Sequence, residues 1–190
     1  MVFVKYAAAQ VDSHHRRRKM AARVNLKELE YVARELRAEI RTGKRGPAHD
    51  MAEQWGARYL SFTQRRFKKM SRGGWAPLAK STLKARKKGS GKKSASILID
   101  EGHLLKGLKA GEKGNLTEYI INGVRVGYRA DVKHPRSKTF TYGEIAAANQ
   151  NGTGNLPKRE IFVDPDNQTI NGMKTDLTNA ITALGQQAQR

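Results

Sequence analysis

The sequence predicts an α+β fold: a helical N-terminal half packed on a small antiparallel β-sheet, with a long amphipathic C-terminal helix. Three observations predict it. Apolar residues recur with a 3.6-residue period along two segments of the first half. An Asn-Gly pair, Asn122-Gly123, separates two β-rich runs in the second half. After Pro165, the residues Ile170, Met173, Leu177, Ile181 and Leu184 form a stripe about 80° wide on a helix. Helices in one half and strands in the other suit helices segregated on one side of a sheet. The 190 residues divide into a basic, flexible arm over 1–23 and one domain over 24–190, long enough to bury a core.

The arm carries His14-His15-Arg16-Arg17-Arg18-Lys19 with little periodicity, the pattern of a segment that only a partner orders. Asn25 suits the N-cap of a helix reaching about Arg41. Leu26, Leu29, Val32, Ala33, Leu36 and Ile40 share one face of it, and Glu30 and Arg34 form an i,i+4 pair on the other side. Gly43, Gly46 and Pro47 end it.

A second helix is predicted from Asp50 to Ser71, with Asp50 and Glu53 spaced as a capping box. Met51, Trp55, Tyr59, Phe62 and Met70 share an apolar side; Arg58, Arg65, Lys68 and Arg72 make a basic stripe opposite. Phe67 lies among four cations, but its helical position is the margin of the apolar face, so it is read as core. A short third helix runs from Leu78 to Lys88 and ends in Arg86-Lys87-Lys88. The basic loop Gly89–Ser94 follows, and Ile97 to Leu108 forms a buried helix or helix-like turn closed near Gly111.

In the second half, Thr117–Ile121 and Val124–Tyr128 flank the Asn-Gly turn, whose type I′ geometry needs positive φ at both central residues. Lys133 to Thr141 is a polar loop, and Tyr142 to Asn149 a short helix stopped by Gly152. Glu160–Val163 is predicted as a third strand. Asp164-Pro165 is expected to start the last helix, with Asp as cap and Pro in the first turn. Its apolar stripe is read as core, covering the sheet or a neighbouring subunit.

With no cysteine, disulfides and thiolate metal sites are excluded and a reducing compartment is expected. No apolar run approaches the ~20 residues that span a bilayer, and Met1–Ala9 lacks signal-peptide form. The expectation is a soluble chain, intracellular at synthesis. Net charge is +20, with residues 1–110 contributing +18 and residues 111–190 only +2. Such asymmetry points to a polyanion or an acidic partner. The candidate contacts are Arg16, Arg17, Arg18 and Lys19; Arg58, Arg65, Lys68 and Arg72; and Lys84, Arg86, Lys87, Lys88, Lys92 and Lys93. Zinc-finger spacing and an RNA-recognition aromatic signature are absent, so sequence-specific recognition is not expected.

The sequence contains no His-Glu-x-x-His, no Gly-x-Ser-x-Gly and no phosphate-cradling Gly-x-x-x-x-Gly-Lys-Ser/Thr. Asp100-Glu101-Gly102-His103 sets two carboxylates beside an imidazole and is read as a polar turn within an apolar segment. No catalytic residue, metal ligand or cofactor is expected.

The most particular pattern is an ordered set: Trp75-x-Pro77-Leu78 after a Gly pair, Thr82, then Gly102-x-Leu104-Leu105, then Pro157-x-Arg159-x-x-Phe162. Over roughly residues 28–165 this set resembles the virion-morphogenesis or tail-completion proteins of Mu-like and related tailed bacteriophages. The resemblance implies a structural protein of the virion neck or upper tail, the tail-terminator position, that completes the tail and joins it to the head. It implies a homo-oligomeric ring, of about six copies, around the DNA channel. Partners would be adjoining neck and tail proteins and phage duplex DNA, with host cytoplasm as the place of assembly. The ten motif residues would then carry packing and docking. The alternative is a free, sequence-nonspecific nucleic-acid-binding protein.

Overall fold

The computed structural model describes residues 26–42, 45–88, 96–120 and 123–188. The predicted arm with Arg16, Arg17, Arg18 and Lys19, the loop with Lys92 and Lys93, and Asn122 lie outside the described residues. The elements are α1 (Leu26–Thr42), α2 (Pro47–Lys69), α3 (Lys80–Lys88), α4 (His103–Lys106), β1 (Asn115–Ile120), β2 (Gly123–Tyr128), α5 (Tyr142–Asn151) and α6 (Asn167–Ala188). The architecture is the predicted α+β one, with a two-stranded antiparallel sheet and a long C-terminal helix.

α2 is the organising element, and it begins earlier than its Asp50–Glu53 pair predicts. Pro47 occupies the first helical turn, where a missing N–H leaves nothing unsatisfied. The N–H of Ala48 donates to the Glu39 carboxylate of α1 at 2.8 Å. A Cβ on Gly46 would lie 2.2 Å from that carboxylate, so a larger residue there would push the Glu39 side chain out of its capping position. The cap comes from a neighbouring helix and not from a local capping box.

One side of α2 packs on the hairpin. A Cβ on Gly56 meets the Val124 side chain at 3.2 Å, a contact tight enough to favour glycine. Another side of α2 packs on α6, where Tyr59, Phe62 and Met173 form a buried cluster. The main core lies beyond, where Phe67, Trp75, Leu104, Leu108, Tyr128 and Ile161 are all buried. Phe67 is completely enclosed, as its helical position predicts.

The hairpin register pairs Asn115 with Tyr128 and Ile120 with Gly123. Gly123, predicted in the turn, is instead the first residue of the second strand. α3 starts at Lys80, two residues after the predicted Leu78. The 97–108 segment is mostly turn, because Leu98 (φ 60°) and Gly102 (φ 80°) interrupt any continuous helix. Only His103–Lys106 is helical there.

The predicted third strand does not form. Side chains satisfy the backbone of 160–163 before a neighbouring strand can. Gln150 Oε1 accepts the N–H groups of Ile161 and Phe162 at 2.7 and 2.9 Å, and its Nε2 donates to the Phe162 carbonyl. Arg66 donates to the Glu160 carbonyl and the Tyr59 hydroxyl to that of Val163. Buried backbone groups must be paired, and here α2 and α5 provide the partners.

α6 starts at Asn167, and its cap is Asp166, whose carboxylate accepts the Thr169 N–H at 2.8 Å. Asp164, the predicted cap, lies upstream. The helix packs on α2 and α1 instead of covering the sheet. Its buried line is Thr169, Met173, Asp176, Ala180 and Leu184, while Ile181, assigned to the apolar stripe, is 40 % exposed.

Candidate docking face and the cleft beside it

Three segments distant in sequence meet around Trp75. α2 ends in a wide turn, Met70–Gly74, in which Gly73 adopts φ 134°, a conformation natural only to glycine. That turn swings the indole back under α2, where it is 6 % exposed and sits edge-on to Phe67 at 5.1 Å. Ile97 then returns beside the turn, its N–H donating to the Ser71 carbonyl at 2.9 Å. Arg159 closes the group. Its guanidinium donates to the carbonyls of Ala76 and Pro77 and to Asn149 Oδ1, all at 3.3 to 3.4 Å. Burial lowers its pKa, because a charge withdrawn from water loses hydration that carbonyls only partly replace.

Of the ten motif residues, Trp75, Leu104 and Arg159 are buried, and Leu78, Leu105 and Phe162 pack partly buried against the same core. Gly102 provides the left-handed residue before α4. Pro77, Thr82 and Pro157 are exposed, so they shape the surface instead of the packing. The aromatic partner Tyr128, whose hydroxyl donates to the Leu104 carbonyl at 2.7 Å, is absent from the sequence-derived set. Its alternation in the second strand was the available signal.

The basic stripe divides. Arg58 does not belong to a free cationic surface: Nε and Nη2 hold both oxygens of the buried Asp176 carboxylate at 2.6 and 2.9 Å. Arg66 is committed to a backbone carbonyl, and Arg86 to the Ser96 carbonyl at 2.9 Å. Arg65, Lys68, Lys69 and Arg72 are exposed on the outer side of α2 and its exit turn, and Lys80 and Lys84 are exposed on α3. The side chains of Lys87 and Lys88 lie outside the described residues.

Next to α3 is a cleft of about 310 Å³, bordered by Arg86, Asp100, Glu101, His103, His134 and Arg136. The Asp100-Glu101-Gly102-His103 turn is polar, as expected, and is met by a loop whose Arg136 lies 36 residues beyond Asp100. Arg136 bridges the Asp100 and Glu101 carboxylates. Glu101 Oε2 lies 3.0 Å from His103 Nε2. His134 meets His103 edge-on at 5.4 Å and Tyr142 at 5.1 Å. Burial, followed by the nearby His103 and Arg136, lowers the His134 pKa. Arg136 ties the two loops together through these carboxylates, which makes the cleft a latch, although Asp100 Oδ1 is buried without a hydrogen bond and has only the Arg86 guanidinium 3.7 Å away.

One further grouping escapes the sequence reading. His49, Asp50 and Glu53 bring one ligand atom each within 4.8 Å of one another in the first turns of α2. They sit at the positive end of the helix dipole, where a bound cation is disfavoured. Among the described residues no helix is long and apolar enough to cross a membrane.

Comparison with protein-family models, with curated proteins and with solved structures finds no match for this chain.

Proposed function

We propose that this chain is a structural, non-catalytic subunit of a tailed-phage virion that completes the tail and joins it to the head. It acts as a homo-oligomeric ring in the neck or upper tail, assembled in the host cytoplasm. The supporting observation is the convergence of the three motif segments on one core: Trp75 and Leu104 are buried, and Arg159 ties the Trp-Pro turn to α5. Residues spaced over eighty positions thus act as a packing unit, which suits a rigid subunit that docks instead of reacting. A closed ring repeats each weak contact around the symmetry axis, so a modest interface suffices.

The exposed cations of α2 and α3 favour one second reading, a free, sequence-nonspecific nucleic-acid-binding protein. Particle mass separates the two. Light scattering and negative-stain microscopy at micromolar concentration, alone and with purified phage tails, should show closed rings. A particle that stays monomeric in both conditions refutes the assembly role.

A further inference from the structure

We infer that the exposed cations Arg65, Lys68, Lys69 and Arg72, which share one side of α2 and its exit turn, together with the exposed Lys80 and Lys84 of α3, contact the phosphate backbone of duplex nucleic acid. The inference rests on reading this face as a docking surface, and it names the partner.

These cations are expensive to the fold. No described ion pair within 4.0 Å holds any of the six, and only Arg65 has a carboxylate near enough to feel it, that of the exposed Asp166, whose pKa it helps to lower. Arg65 and Lys69 on α2, and Lys80 and Lys84 on α3, are like charges at i,i+4, each pair mildly destabilising. Lys80 is also the first residue of α3, where the helix dipole disfavours a cation, and no acidic residue stands in that first turn. Lys68 and Lys69 do favour the C-terminal end of α2, but that benefit does not extend to Lys80 or Lys84. From residue 54 to residue 99 the chain has no Asp or Glu at all, so no carboxylate on this stretch repels phosphate.

The face also lacks what a protein partner needs. Interface hot spots are aromatic or aliphatic anchors seated in pockets. The large exposed apolar side chains among the described residues are Tyr119, Phe140, Leu156 and Ile181, none of them on α2 or α3. Phosphate binding requires no such anchor, because release of condensed counterions supplies the affinity. Single strands are held by stacking bases on exposed aromatics. Here Phe62, Phe67 and Trp75 all point into the core. Duplex is what remains: charge without anchors or stacking platforms.

The test measures binding of the full chain to a mixed-sequence 30-base-pair DNA by fluorescence anisotropy across a salt series. Each phosphate contact contributes about 0.9 to the slope of log affinity against log salt. The triple variant Lys68→Gln/Arg72→Gln/Lys84→Gln is expected to flatten the slope by about 2.7 and to weaken binding at least about tenfold near 0.1 M salt. The control Lys133→Gln/Lys138→Gln/Lys174→Gln removes equal charge from exposed positions elsewhere and is expected to stay within about twofold. Should the triple variant melt early, Arg72→Gln and Lys84→Gln taken singly each remove about 0.9 from the slope. Equal losses in the two triple variants overturn the inference. So does tighter binding of a single strand of the same length, or equal competition by poly-glutamate, which would assign the face to an acidic protein. Rings that ignore duplex DNA overturn this inference alone. A monomer that binds duplex overturns the assembly role alone.

Discussion

Arg58 separates the structural from the docking cations, and replacing it with methionine tests that division. The guanidinium reaches from α2 to α6 and holds Asp176 through two hydrogen bonds, with the carboxylate side chain 3 % exposed and the arginine 44 % exposed. Gly172 leaves the room: a Cβ there would stand 2.7 Å from an Arg58 guanidinium nitrogen. Removing one partner of a fully buried pair costs about 3–5 kcal/mol, since the remaining charge stays buried and unpaired. Water reaches the arginine side of this pair, which reduces the expected loss to about 2 kcal/mol. For a chain of this size that corresponds to a fall in melting temperature of about 4–8 °C. Thermal and urea unfolding measure it, and the double variant Arg58→Met/Asp176→Leu should recover most of the loss by removing both charges. Duplex binding by Arg58→Met should stay within about twofold of the wild type. Melting of Arg58→Met within a degree of the wild type, or a loss of DNA binding as large as that of Arg72→Gln, would refute a structural role for Arg58.

Other expectations follow from the same geometry. Trp75→Ala should destabilise by about 3–5 kcal/mol in urea unfolding, whereas Trp75→Phe should cost much less, because the buried indole N–H has no acceptor to lose. Gln150→Leu should cost about 2–4 kcal/mol by the same measurement, since it strands the N–H groups of Ile161 and Phe162. Gln150→Glu, which keeps the acceptor, should cost less. The lowered His134 pKa means the folded state binds fewer protons here than the unfolded state. Stability of the 129–141 loop should therefore fall as pH drops below the unfolded value of about 6.5. His103, Glu101, Arg136 and Tyr142 face that imidazole, and only Glu101 favours its charged form. Hydrogen exchange of the loop amides at pH 7.5 and 5.5 should show the loss, and His134→Asn should reduce it.

The sequence made some features legible because they are set within a few residues. Helix periodicity marked α1 and the buried aromatics of α2, and the Gly73-Gly74 pair marked the exit that seats Trp75. Phe67 was recognisable as core despite four neighbouring cations, since helical angle outweighs sequence adjacency. The predicted third strand fails for the converse reason. Glu160–Val163 has strand-like composition, but its backbone partners are Gln150, Arg66 and Tyr59, which no local pattern announces.

What the sequence determined by itself is the fold class, the order of elements apart from that strand, and the excess of positive charge in the first 110 residues. These depend on short-range sterics, periodicity and composition. Tertiary structure alone decided which cations are free. Arg58 and Arg65 occupy equivalent positions in the basic stripe, yet one is bound to a buried carboxylate 118 residues away and the other faces solvent. Pairing of that kind depends on where α6 crosses α2, and a crossing is a property of two packed surfaces, not of either segment.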